Sequence, residues 1–386
     1  MNRVCSIFSQ ILQIFSRTEF ELAVRKHKAE RHARGFSSWG QFVAMLFCHL
    51  GRAQSLREIC GGLAACEGKL RHLGIPRSPK RSTLAYANQH RPWQLYQTVF
   101  EGLLQKCQQV IGGRKKFRFK NKLVSLDGSV IDLCATLYDW AKFRRTKGGV
   151  KLHLLLDHAG YLPQYAVIES AKVAELVIAR KLRFEPGTIV VFDRGYLDYK
   201  WFAQLTRQGV YFVTRQRWNT YYKVVKRRAV PSRGNVISDQ EVLLGHRSYR
   251  TGVPVRRVVV RDPETGEQFE FLSNHMEFAA STIAAIYRDR WQIESFFKSL
   301  KQLLRVKTFV GTSANALKTQ IWTALIAILI LKYLKLRASF GWSLSNLVAL
   351  LRQQLFVYRD LWIWLDHPFE APPALEGMHD QLVLQF

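Results

Sequence analysis

Aspartate is missing from the first third of this chain: none precedes Asp127 in 386 residues. Residues 1–120 hold 21 Lys and Arg against 6 Glu. An acid-poor, basic stretch of this kind suits docking on a polyanion. Cysteine is sparse and unpaired. Cys5, Cys48, Cys60, Cys66, Cys107 and Cys134 form no CxxC motif, and the loose group Cys60, Cys66 and His72 matches no standard zinc spacing. Free thiols in a reducing, cytoplasmic compartment are therefore expected. The apolar stretch from Val4 to Phe15 is interrupted by Ser6, Ser9, Gln10 and Gln13, which argues against a signal peptide. The run Ile321 to Leu331 is too short to cross a bilayer and reads as a buried core helix, so no membrane partner is expected. The absence of internal repeats excludes a solenoid or propeller.

What the chain has in excess is positive charge. Its 58 Lys and Arg against 29 acids give a formal net charge of +29 and a pI near 10.2. The hydrophobic share of 48% and the 24 phenylalanines indicate a folded protein with a sizeable core, not a basic disordered tail. Neutralising phosphates releases counterions, so such an excess implies a nucleic-acid partner.

Residues 1–113 read as helical, with candidates at 4–15, 18–30, 39–50, 55–65, 83–90 and 92–110. Ser55 and Glu58 form a capping-box pattern, and Ser82 is expected to cap the fifth helix. Helix, turn and helix around the basic breaker Pro76–Arg81 fit either a helix-turn-helix reader or a plain bundle. The hinge Gly112-Gly113-Arg114-Lys115-Lys116 marks the boundary. After it come strands at 122–126, 151–156, 165–169, 188–192 and 210–214, with helices at 174–184 and 201–208. This is an α/β layered pattern. A β-rich insertion is expected over about 215–278, with a hairpin pairing 256–261 with 268–272. One long helix, 282–304, follows, with Ile286, Ile293, Phe297, Leu300 and Leu304 as its core stripe. Further helices occupy about 314–386, so residues 114–386 read as one catalytic domain.

The chemistry-bearing pattern lies on that long helix. Tyr287, Arg290, Glu294 and Lys301 are spaced by 3, 4 and 7 residues, which confines them to about 60° of a helix circumference. Two aspartates join them. Asp127 and Asp193 each end an apolar strand, where ligand groups of α/β sheets gather. Singly, each has an ordinary reading, as a turn former, a cap, or for Glu294 an ion pair with Lys298. Together the three carboxylates suit Mg²⁺ or Mn²⁺, and two such ions can serve phosphodiester displacement. His153 and His158 read as structural.

These residues carry a resemblance. The segments Leu126-Asp127-Gly128-Ser129, Phe192-Asp193-Arg194-Gly195-Tyr196 and Ile286 to Glu294, continuing through Phe297 to Gln302, resemble the DDE transposases of the insertion sequence 4 family, with their Y-x2-R-x3-E-x6-K signature. The resemblance covers about residues 120–335. It implies an RNase H-like core, a mixed sheet with flanking helices and a β-rich insertion, preceded by an all-helical DNA-binding region. It implies that Asp127, Asp193 and Glu294 hold two Mg²⁺ ions, with Mn²⁺ able to substitute. By the same resemblance Tyr287, Arg290 and Lys301 contact DNA phosphates near the cut, and Trp218 is the candidate for stacking on a flipped base. The frame after Asp193 leaves open whether Tyr196 or Tyr199 is functional.

The expected activity is cut-and-paste transposition: excision and strand transfer of a mobile element in a bacterial, nucleoid-associated setting. The partners would be double-stranded DNA, as terminal inverted repeats and target, and a second copy of the chain. Two rivals are an RNase H-like nuclease that does not join ends and a catalytically inactive DNA-binding protein on the same fold.

Overall fold

A computed structural model describes residues 5–31, 33, 35–111, 116–134, 136–144, 147–232, 234–245, 254–304 and 309–370. The chain divides into two compact units, Met1–Leu103 with Thr319–Phe386, and Leu104–Lys318. The C-terminal helices thus group with the N-terminal ones, whereas a linear division at residue 113 leaves them with the sheet. The glycine hinge at 112–115 lies outside the described residues.

The helical unit draws on α1 (Ile7–Leu12), α2 (Arg17–Lys26), α3 (Ser38–Leu50), α4 (Leu56–Ala64), α5 (Arg81–His90) and α6 (Gln94–Ile111). The Ser55–Glu58 pair caps α4 as the sequence predicts, but the return bond reaches the amide before the cap residue. Ser55 Oγ accepts from Glu58 N at 3.1 Å, and Glu58 Oε2 accepts from Gln54 N at 2.8 Å. Ser82, by contrast, lies inside α5, whose cap position is Lys80, without a side-chain bond. Chain ends meet here: Ile7 N donates to Val357 O and Phe8 N to Leu355 O, and Phe8 packs on Phe47 and Phe356.

The sheet unit continues with β1 (Leu123–Leu133), β2 (Lys142–Arg144), β3 (Lys147–Asp157), β4 (Leu162–Ser170), α7 (Glu175–Ala179), β5 (Ile189–Phe192), α8 (Tyr199–Arg207), β6 (Tyr211–Arg215), β7 (Tyr222–Arg227), β8 (Val236–Leu244), β9 (Pro254–Arg261), β10 (Gln268–Ser273), α9 (Ala280–Asp289) and α10 (Trp291–Leu304). The strands form one mixed sheet in the order β2-β3-β1-β5-β6-β10-β9-β8-β7, with β4 paired to β3. The β1–β5 and β5–β6 pairs are parallel and the rest antiparallel. Strand β5 is apolar throughout because it is buried on both faces. Val190 and Phe192 join the core under α8, while Ile189 and Val191 join the core under α9.

The architecture is therefore a large mixed α/β sheet with flanking helices, preceded in the chain by a helical N-terminal region. Three sequence expectations are corrected in detail. β1 does not end at Asp127; it continues to Leu133, paired with β3. The β-rich insertion expected over about 215–278 joins the central sheet, since β10 pairs with β6 and the β9–β10 hairpin extends it. The helix expected over 174–184 is only five residues long. The helix expected over 282–304 breaks at Arg290, where Arg290 N bonds back three residues to Tyr287 O. Ile286, Ile293, Phe297 and Leu300 are buried as the stripe predicts; the Leu304 side chain lies outside the described residues.

Helix α11 (Ala314–Arg337) contains the run Ile321 to Leu331. At 24 residues it is longer than the run and, by length and composition alone, could cross a bilayer. Burial explains its composition instead: every residue of the run is at most 3% exposed. Within the helical unit Trp322 stacks on Trp93, and His49 of α3 bonds Thr323 at 2.9 Å. Helices α12 (Leu344–Gln354) and α13 (Leu361–Asp366) complete that unit.

Candidate active site

Parallel pairing of β1 with β5 sets Leu126 beside Phe192. Asp127 and Asp193 are the next residues on the two strands. There β5 stops and β1 runs on, so Asp127 is uncovered in mid-strand on one edge. Asp193 also caps the short 3-10 turn Arg194–Tyr196, its Oδ1 accepting from Gly195 N at 2.8 Å. That is the ordinary role a lone aspartate takes after a strand, and here it orients the carboxylate.

Helix α10 lies against β1. One groove is lined by Asp127, Ser129, Glu294, Phe297, Lys298, Lys301 and Gln302. Asp127, distant in sequence from Glu294 and Lys301, thus shares one groove with them. Arg290 stands at its head. Its Nη2 donates to Glu294 Oε1 at 2.5 Å, and its Nη1 lies 3.9 Å from Asp127 Oδ2. Tyr287 lies on α9, across the helix break. It packs on the sheet against Phe271, and the Arg290 guanidinium sits 5.4 Å from its ring centroid. Trp218 is 94% exposed in the connection between β6 and β7.

The electrostatics favour a cation. Burial pushes the Asp127 carboxyl up to about 7, with a bond from Gly128 N opposing and the nearby charges of Asp193 and Glu175 adding to the rise. Burial disfavours the Arg290 charge, but Tyr287, Glu294 and Asp127 hold its guanidinium above the usual range. Among the described residues no three His, Cys, Asp or Glu side chains converge closely enough to hold a metal ion as they stand. The oxygen donors nevertheless suit a hard divalent ion. Between Asp127 and Glu294 the positive charge is that of the Arg290 guanidinium.

A second polar cluster supports the first and was not legible as a unit. His158 Nδ1 lies 2.5 Å from Asp289 Oδ2, and its Nε2 lies 2.7 Å from Ser125 Oγ. Lys116 and Tyr161 also bond Asp289. Burial would raise the Asp289 pKa, but the bonds from His158 and Lys116 hold it below the usual carboxylate range. The connectivity resembles a nucleophile, base and acid relay, but Ser125 is wholly buried. Its physical effect is to tie β1, the β3–β4 turn and the end of α9 together one residue before Arg290. His153 is buried too, and Tyr196 is fully buried beneath the aspartates while Tyr199 opens α8 and packs on the core. The signal for Asp289 was its place inside the Ile286 to Glu294 segment.

Comparison with known proteins adds identity to this geometry. The family described as Transposase DDE domain matches residues 118–330. Residues 4–76 match a family described as a domain of unknown function, DUF4372. A Sinorhizobium fredii protein described as a transposase, y4zB, is 32% identical over 83% of this chain and 89% of its own length. The transposase described for insertion sequence element IS5377 of Geobacillus stearothermophilus is 27% identical over 68% of each chain. That for IS4SA of Synechocystis is 30% identical over 40% of this chain and 43% of its own.

Proposed function

Since the chain belongs to the transposase DDE domain family and is a DNA transposase dependent on a divalent metal, we propose that Asp127, Asp193 and Glu294 are its catalytic carboxylates. The observation that carries this is the register of β1 on β5, which puts the two aspartates side by side next to the groove of Glu294 and Lys301.

In this reading the metal is Mg²⁺, with Mn²⁺ able to substitute, and the three carboxylates hold two ions. Asp127, Asp193 and Glu294 would hold the ions, which would supply activation of a water or a 3′-hydroxyl and stabilisation of the leaving oxygen. Arg290 and Lys301 grip the phosphates that flank the cut, Arg290 as a fork and Lys301 as a point charge. Tyr287 braces Arg290 from below and offers its hydroxyl toward the same backbone. Trp218, free of packing, supplies a face on which an unstacked base can rest. Water and then the element's 3′-hydroxyl serve as nucleophiles, so no covalent enzyme intermediate forms.

The basic helical region, about 1–113, reads the terminal inverted repeats, and the region from 114 onward performs cleavage and joining on repeat and target DNA. Two ends cut in concert call for two copies of the chain on DNA. The β-rich insertion, about 215–278, carries Trp218 toward the substrate.

The test is Mg²⁺-dependent cleavage and joining on DNA carrying the flanking element ends, comparing the natural protein with Glu294→Gln. Both activities should vanish in the variant while end binding persists. Cleavage without joining in the natural protein would show a nuclease instead.

A further inference from the structure

The groove at Glu294 is only one side of the aspartate pair. Side chains alternate along β1, so Gly128 faces the side opposite to Asp127. Its cross-strand partner there is His153. Helix α7 lies against β1 on that side, and its first residue is Glu175.

Two glycines report where Glu175 reaches. A Cβ on Gly128 would meet Glu175 Cγ and Oε1 at 3.3 Å and His153 Nδ1 at 3.2 Å. A Cβ on Gly195 would lie 2.8 Å from Asp193 Oδ1 and 3.4 Å from Glu175 Oε2. Glu175 therefore fills the space left by both glycines and shares the second with Asp193. The two flanking carboxylates are also matched in their basic partners. Glu294 has Arg290 at 2.5 Å, and Glu175 has Lys151 Nζ at 3.3 Å.

Unpartnered polar atoms line the same space. His153 is 1% exposed, and neither ring nitrogen has a hydrogen-bond partner among the described residues. The Tyr196 hydroxyl, fully buried, is likewise without one. Burial holds the His153 ring neutral, with a pKa near 4, so that it retains a lone pair. Buried polar groups are almost always satisfied. Two orphans beside Asp193 and Glu175 are polar groups of the kind that the waters of a hydrated cation take up.

We propose that Glu175 is a fourth carboxylate of the catalytic centre, a ligand for divalent cation on the side of Asp127 and Asp193 opposite to Glu294. This rests on the reading that Asp127, Asp193 and Glu294 are the catalytic set. It divides the cation sites between the two faces of the sheet: Glu294 serves one and Glu175 the other, with the aspartates shared. His153 and Tyr196 are positioning residues for the second.

Direct cation binding tests it. Mn²⁺ bound to the full chain is counted by electron paramagnetic resonance, for the natural protein and for Glu175→Gln, Glu294→Gln, Asp127→Asn and Lys151→Met. Glu175→Gln should weaken one class of site by roughly ten- to a hundredfold, as Glu294→Gln weakens the other, and end-DNA binding should persist. Lys151→Met should bind Mn²⁺ as well as the natural protein or better. Unchanged binding in Glu175→Gln, with Asp127→Asn and Glu294→Gln both impaired, would overturn the role of Glu175 alone. Equal losses in Lys151→Met and Glu175→Gln would also overturn it, making Glu175 an ion-pair partner. Unchanged binding in all of them would sink the three-carboxylate reading itself. Iron-mediated backbone cleavage of the natural protein needs no variant. With Fe²⁺ and peroxide, cuts are expected near Glu175 and Gly195 as well as near Asp127, and their absence at Glu175 would count against it.

Discussion

Arg290 donates to Glu294 across a single helical turn at 2.5 Å, and this bond is formed at a break in the helix, not along a continuous one. The Arg290 guanidinium also lies 3.9 Å from Asp127, while the neighbouring Asp289 is tied into the core. In the proposed reading Arg290 exchanges the carboxylates it holds here for phosphate.

Replacing Arg290 separates those two roles. Arg290→Met should cut the rate of end cleavage by about 10²–10³, the usual cost of losing a charged transition-state contact. Divalent cations should bind the variant at least as tightly as the natural protein, because a competing positive charge has gone. Single-turnover cleavage and Mn²⁺ titration check the two halves. Cleavage at the natural rate would remove Arg290 from the chemistry.

Trp218 touches so little that its loss should leave stability unchanged within about 0.5 kcal/mol. If it stacks on a base, Trp218→Ala should still lower end cleavage about tenfold or more, and Trp218→Phe should restore part of it. Melting temperatures and cleavage rates measured side by side decide this. Equal activity in all three proteins would make Trp218 an ordinary surface residue.

The Ser125–His158–Asp289 chain is a stability element. His158→Ala leaves a buried carboxylate and a buried hydroxyl short of a partner, which should cost about 2–4 kcal/mol. Urea unfolding would show this as a shift in midpoint. The double variant with Asp289→Ala should lose less than the two single losses added together, since the sites couple. Strict additivity would mean that the two residues act independently.

His49 makes the fold sensitive to acid. Burial lowers its pKa to about 4, while the unfolded chain titrates at the ordinary value of 6.5. Its contribution to stability is therefore complete above pH 6.5. It is lost as pH falls toward 4, because only the unfolded state then accepts the proton. The span corresponds to roughly 3 kcal/mol. In His49→Gln the stability profile between pH 6.5 and 4 should flatten by that amount, whatever the variant's stability at neutral pH. An unchanged slope would place the acid sensitivity elsewhere.

Local rules made much of the chain legible. The Ser55–Glu58 cap, the apolar strand at β5 and the β9–β10 hairpin follow from hydrogen-bonding chemistry and side-chain period over a few residues. Ser82 misled because a serine near a helix start can lie inside it when an earlier residue, here Lys80, already adopts the cap conformation. The break at Arg290 was hidden because the apolar stripe of α9 and α10 keeps its phase across it. Glu175 gave no sign at all: its neighbours in sequence are unremarkable, and its neighbours in space come from β1, β3 and the turn after β5.

The sequence by itself determined the composition of the site and of the core, because charge, hydrophobic period and residue spacing are properties of the chain read in order. It also carried the family, through three short segments. Only the tertiary structure decided which residues meet. The parallel register of β1 and β5 sets Asp127 beside Asp193, and the packing of α10 and α7 against β1 brings Glu294 and Glu175 to its two sides. The long hydrophobic helix α11 is a core element because the helices around it cover it. Such meetings depend on contacts far apart in sequence, whose favourable energy is collected only after the chain has closed on itself.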